Sequence, residues 1–206
     1  MAKNPKKPLE AYPRVFLDLE LYRPPRSGGQ GRNPFFHTNT KIILAAIAVE
    51  DEKGLLREEY LTEWTLREPK LLRKLIEILS ETVSHAGRRP LLIGYNILSL
   101  DIPVIIYRAH HLLPPRETRG LEALLYRRFL PVDMFQQVLP LYEGPGLPSF
   151  AWLESRLSPG IASKKSGYRI HEFYEQGRYE EILDYSRDEM MRLRRTYRLL
   201  MKSSIK

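Results

Sequence analysis

Five acidic residues stand out because each sits where the local pattern gives its carboxylate a direction. Asp18 and Glu20 lie two apart in the run Val15-Phe-Leu-Asp-Leu-Glu-Leu21. A strand turns successive side chains to opposite faces, so these two acids share one face while Leu17, Leu19 and Leu21 take the other. Asp101 follows Gly94-Tyr-Asn-Ile-Leu-Ser-Leu100, and Asp188 with Glu189 lies in Tyr185-Ser-Arg-Asp-Glu-Met-Met-Arg-Leu193 near the C-terminus. Carboxylates converging on one point make a site for a hard divalent cation, since oxygen donors suit Mg²⁺ and Mn²⁺. The chain has no cysteine, so disulfides and thiolate metal sites are excluded. His110 and His111 are adjacent, without the i, i+4 spacing of a zinc-binding helix face.

Helix geometry separates the two neighbouring acids. With about 100° of turn per residue, Ile182, Ser186, Leu193 and Leu200 fall on the side of Glu189, and Tyr185 lies one turn back on its flank. Asp188 points toward Asp184, Arg192 and Arg195, which read as the solvated face. The preferred fourth acid is therefore Glu189, with Asp188 as the alternative.

The elements that must position these residues are legible from periodicity and punctuation. Residues 14–22 read as a strand, 41–49 as a continuous apolar strand, and 57–64 as its hairpin partner across the turn Glu50-Asp-Glu-Lys-Gly54. Pro69 opens a helix with apolar residues at helical spacing up to Gly87, and Pro90 to Asn96 is a short buried strand. Strand, helix, strand implies a parallel pair. The second half reads as helical over 99–113, 117–129, 132–142, 148–157 and 179–203. Residues 1–13 form a basic, flexible leader and 14–206 a single domain. The segment 117–142 carries enough apolar residues, among them Leu121, Leu124, Leu125, Phe129, Phe135 and Leu139, to serve as an interface.

The 206 residues include 33 Lys and Arg against 25 Asp and Glu, a net charge of +8, and the sequence pI is about 9.6. Positive surface around a local gathering of acids suits a phosphate-bearing partner. The loop Arg23-Pro-Pro-Arg-Ser-Gly-Gly-Gln-Gly-Arg32 carries three arginines and no acid, and Phe35-Phe36-His37 follows it. Arg23, Arg26 and Phe36 are accordingly candidate contacts, two to backbone phosphate and one to a stacked base. Lys164 and Lys165 belong to a second basic loop. No apolar run approaches a membrane span or follows the basic start as a signal peptide would, so a cytoplasmic protein without membrane attachment is expected.

With these motifs in hand, a resemblance becomes visible. Phe16-Leu-Asp18-Leu-Glu20 resembles the first motif of the DEDD superfamily of 3′-5′ exonucleases. Gly94-Tyr-Asn96-Ile-Leu-Ser-Leu-Asp101-Ile-Pro103 with Arg108 resembles the second, and Tyr185 to Glu189 is similar to the third. The wording is nearest to the exonuclease domain of family B DNA polymerases and free-standing ribonuclease-H-like exonucleases, over residues 14 to about 200. The resemblance implies an α/β fold with a ribonuclease-H-like mixed five-stranded sheet, three strands antiparallel and the rest parallel, flanked by helices. It further implies two divalent cations, Mg²⁺ or Mn²⁺, held by Asp18, Glu20, Asp101 and the third-motif acid. Tyr185 would orient the attacking water. Asn96 would position the terminal nucleotide, unless it serves as a turn residue at the strand end. The substrate would be single-stranded DNA or RNA, and a proofreading role would require a polymerase or repair partner. The third motif departs from the family's Asp by one methylene, with Glu189 in that place. Loss of turnover, leaving a nucleic-acid- or protein-binding module of the same fold, is the alternative this departure raises.

Overall fold

The computed structural model describes residues 12–23, 39–158 and 169–203. Arg26, Phe36 and the basic loop with Lys164 and Lys165 lie outside the described residues, as does most of the leader.

Three long strands form the antiparallel part of the sheet: β1 (Arg14–Tyr22), β2 (Lys41–Asp51) and β3 (Gly54–Thr62). Helices α1 (Glu63–Leu66) and α2 (Glu68–His85) carry the chain across to β4 (Leu91–Gly94). Then come α3 (Asp101–Leu112) and α4 (Pro115–Ala123), the latter running into a π-helical turn at Leu124–Arg128. β5 (Leu130–Asp133) leads directly into α5 (Met134–Val138), and α6 (Phe150–Leu157), α7 (Ile170–Glu175) and α8 (Tyr179–Ser203) complete the described chain. The strand order is β3-β2-β1-β4-β5, with β1–β2 and β2–β3 antiparallel and β1–β4 and β4–β5 parallel. This is the mixed five-stranded α/β sheet anticipated above.

Both faces of the sheet are covered, which is why β2 reads as unbroken apolar residues rather than alternating ones. Val15, Leu17 and Leu19 pack with Leu71, Leu75 and Leu79 of α2 and Ile102 and Ile105 of α3. Phe16, Ile43 and Ile93 pack on the other side with Met134 of α5, Leu153 of α6 and Ile182, Met190, Leu193 and Tyr197 of α8.

The helical reading of residues 132–142 holds from Met134 to Leu141, and the fifth strand corrects only its start, since Leu130–Asp133 is β5. It has four residues and contains Pro131, which offers no N–H to a ladder and suits a strand paired on one side only. The apolar residues of 117–142 are corrected too. Leu121, Leu124, Leu125, Phe129 and Phe135 are buried, and of the six only Leu139 is exposed. They are core, so the proposed interface there is withdrawn.

Two buried ion clusters fix the helices that matter for the site. Arg108 of α3 donates from Nε and Nη2 to the two carboxylate oxygens of Glu68, each at 2.7 Å. Glu68 Oε1 also accepts the Ile42 N–H at 2.9 Å, so one carboxylate joins α2, α3 and β2. Glu50, fully buried at the end of β2, accepts from Arg194 Nε at 2.7 Å and Arg198 Nη2 at 2.6 Å. This second cluster clamps the C-terminal half of α8 to the sheet.

Candidate metal centre

Asp18 and Glu20 leave β1 on the face that meets α8, as strand alternation requires. The ladder with β2 shifts register between Glu20 and Leu21, a β-bulge placed beside the acids, where such irregularities re-aim side chains. From the opposite side α8 presents Glu189. Carboxylate oxygens of Asp18, Glu20 and Glu189 all lie within 4.8 Å of one another. Ser186, fully buried one turn before Glu189, donates its hydroxyl to Glu20 Oε1 at 3.3 Å. The Tyr185 hydroxyl, one turn before Glu189, favours the charged form of the Glu189 carboxylate.

Asp101 lies beside this triad and outside it. It opens α3, is buried, and accepts the backbone N–H of Leu19 on Oδ1 at 3.1 Å. Its carboxylate is thereby tied to the strand that carries Asp18 and Glu20. Asp188 is also outside the triad, its Oδ2 lying 3.4 Å from Arg192 Nε. Arg192 itself corrects the sequence reading: it is not on a solvated face, since only 12% of its side chain is exposed. The cause is α6, whose buried Glu154 accepts from Arg192 Nη1 at 3.2 Å.

The electrostatics follow from three carboxylates sharing a dry corner. Burial first, then the charges of Glu189 and Asp101, raise the Asp18 carboxyl well above its ordinary range. Burial and the Asp18 charge do the same to Glu20. Glu189 is raised by burial, while the Tyr185 hydroxyl and Arg192 pull it back. Burial leads in pushing Asp101 up to about 8, with Asp133 and Glu189 adding to it. Unpaired acids forced together in this way either hold protons or hold a cation. The donor set of carboxylate oxygens fits a hard divalent ion.

Asp133, at the end of β5, is the site residue that sequence reasoning missed. Its carboxylate accepts the N–H of Asn96 at 2.8 Å, of Leu98 at 3.0 Å and of Phe135 at 3.0 Å. It thus caps α5 and ties down the loop that leads to Asp101. An Asp before a helix signalled the cap, but its two longer-range bonds depend on β4 and β5 being neighbours. Asn96 occupies the left-handed region with φ of 61°, a conformation its residue type tolerates better than most. Gly94 is required just before it: a Cβ there would stand 2.9 Å from Ile97 Cβ and 3.1 Å from the Leu17 carbonyl oxygen.

Of the other sequence candidates, Arg23 is exposed after the end of β1, and Arg108 is spent on Glu68 rather than on the site. A groove of about 650 Å³ between α2 and α4, lined by Arg73, Glu77, Glu117 and Arg127 among others, contains none of the carboxylates. Among the described residues no helix is long and apolar enough to cross a membrane. Compared with known proteins, the chain matches no protein-family model and no curated protein.

Proposed function

We propose that this chain is a metal-dependent 3′-5′ exonuclease that hydrolyses phosphodiester bonds of single-stranded or frayed nucleic acid. The observation that carries this reading is the meeting of Asp18, Glu20 and Glu189 from a strand and a distant helix within 4.8 Å. The triad would hold one Mg²⁺ or Mn²⁺, and Asp18 with Asp101 would serve a second. When bound, such ions neutralise phosphate charge and lower the pKa of water at neutral pH.

The chain's own groups do the remaining work. Ser186 orients Glu20 through its hydroxyl, and the Tyr185 hydroxyl favours the charged form of Glu189. Leu19 and Asp133 fix Asp101 from both sides of its loop. The net charge of +8 attracts the polyanion. The test is digestion of 5′-labelled single-stranded DNA and RNA oligonucleotides with Mn²⁺ or Mg²⁺. A ladder of products shortened from the 3′ end, abolished by Asp18→Ala, is the expected result. Equal degradation by Asp18→Ala overturns the reading.

A second reading, a binding module of the same fold without turnover, is favoured by one feature. Glu189 is a methylene longer than aspartate and faces Arg192 Nη2 at 3.8 Å as well as the triad. Oligonucleotide that is retained and never cut in any divalent metal is the outcome that selects it.

A further inference from the structure

Arg192 stands one turn after Glu189 on α8, and its guanidinium is shared among acids. Nη1 donates to Glu154 Oε2 at 3.2 Å, Nε lies 3.4 Å from Asp188 Oδ2, and Nη2 lies 3.8 Å from Glu189 Oε1. The Phe150 ring sits 5.7 Å from its central carbon. Its Nε is buried and makes no hydrogen bond. A separation of 3.8 Å is too long for a hydrogen bond, so Glu189 is attracted to Arg192 by charge without being locked to it. The Tyr185 hydroxyl, on the preceding turn, favours the charged form of the same carboxylate.

We propose that Arg192 is a positioning residue that competes with a divalent cation for Glu189, and that Glu154 is the counterweight that draws the guanidinium away from the triad. The proposal rests on the triad being a metal site. Its physical content is a pair of opposite signs. A fixed positive charge at the edge of the triad repels an incoming cation and attracts one of its ligands; both effects weaken binding. Neutralising Arg192 therefore tightens binding. A divalent ion feels the lost charge twice as strongly as a proton at the same place, so the tightening outweighs the extra protonation of the carboxylates. Neutralising Glu154 does the reverse, because the guanidinium loses its close acidic partner on α6 and its field falls more fully on Glu189. The extra methylene of Glu189 gives its carboxylate the reach to serve either cation.

The experiment is titration of the full chain with Mn²⁺, reading free Mn²⁺ by its electron paramagnetic resonance signal, with thermal melts to establish that each variant is folded. Arg192→Gln is expected to lower Kd roughly tenfold, the equivalent of about 1.4 kcal/mol. Glu154→Gln should raise it several-fold, and Arg192→Lys, which keeps the charge, should stay near wild type. If these residues only pack α6 against α8, both neutral substitutions weaken binding alike, and that result overturns the proposal. So does an unchanged Kd in Arg192→Gln. Should Arg192→Gln fail to fold, the sign seen with Glu154→Gln and the behaviour of Arg192→Lys decide. Asp18→Asn separates the two levels. If wild type binds no Mn²⁺, or Asp18→Asn binds it as wild type does, the metal-site reading falls and takes the proposal with it. Asp18-dependent binding that ignores Arg192 sinks the proposal alone.

Discussion

Replacing Asp18 by Asn removes one charge at almost constant volume, and the expected outcome is a more stable metal-free protein. Oxygens of Asp18, Glu20 and Glu189 lie within 4.8 Å of one another, so two like charges face Asp18. At that separation and an effective dielectric of about 20, each unit pair repels by roughly 3 kcal/mol. Protonation and solvent relieve most of this, which leaves a net gain of about 1–2 kcal/mol for the amide. Urea unfolding at about pH 8 with chelator present, followed by tryptophan fluorescence, reads the difference directly. Excess Mn²⁺ should then invert the ranking. A ligand that binds only the folded state at a hundred times its Kd adds about 2.7 kcal/mol, and only wild type retains the full triad to receive it. Two results refute the reasoning: Asp18→Asn less stable than wild type in chelator, or equal stabilisation of both proteins by Mn²⁺.

Metal-free stability should fall as pH rises from about 4 toward 8. The folded state binds the protons of Asp18, Glu20 and Asp101 more tightly than the unfolded chain does, so its advantage is lost as those groups ionise, by up to about 1.4 kcal/mol per pH unit for each. A flat profile of unfolding free energy over that range in chelator contradicts the raised values. Asp133→Asn should cost about 2–3 kcal/mol, because one carboxylate oxygen becomes an NH₂ facing a backbone N–H. Urea unfolding measures the cost, and faster amide exchange at Asn96 and Leu98 locates it in the loop before Asp101. Asn96→Gly should keep wild-type stability and Asn96→Ala should lose about 1 kcal/mol, since only the former accepts a positive φ without strain. Full cleavage activity in Asn96→Gly assigns this residue a backbone role, whereas loss in both variants assigns its side chain a contact with substrate.

Much of the frame was legible in the sequence because its signals are local. Alternation along Val15 to Leu21 placed Asp18 and Glu20 on one face, and the apolar spacing of α8 turned Glu189 rather than Asp188 toward the sheet. The long helix matches its expected limits at Tyr179–Ser203. What escaped depended on distant partners. β5 is four residues with a proline, and it becomes a strand only because β4 is there to accept it. The apolar residues of 117–142 have the spacing of a partner surface, yet most are buried in the folded core, largely beneath neighbouring helices. Arg192 carried every sign of a solvated residue; only the arrival of Glu154 from α6 buries it.

The sequence by itself determined which carboxylates could meet, since the periods of strand and helix are properties of the backbone and set the direction of each side chain. Tertiary structure decided how those carboxylates are held and balanced. The Leu19 N–H on Asp101, the Asn96 and Leu98 N–H groups on Asp133, the Ser186 hydroxyl on Glu20 and the Glu154 carboxylate on Arg192 all join residues far apart in the sequence. Such contacts exist only once β1, β4, β5, α6 and α8 have packed, because hydrogen bonds and desolvated charges act over a few ångströms while the residues concerned are spread along most of the chain.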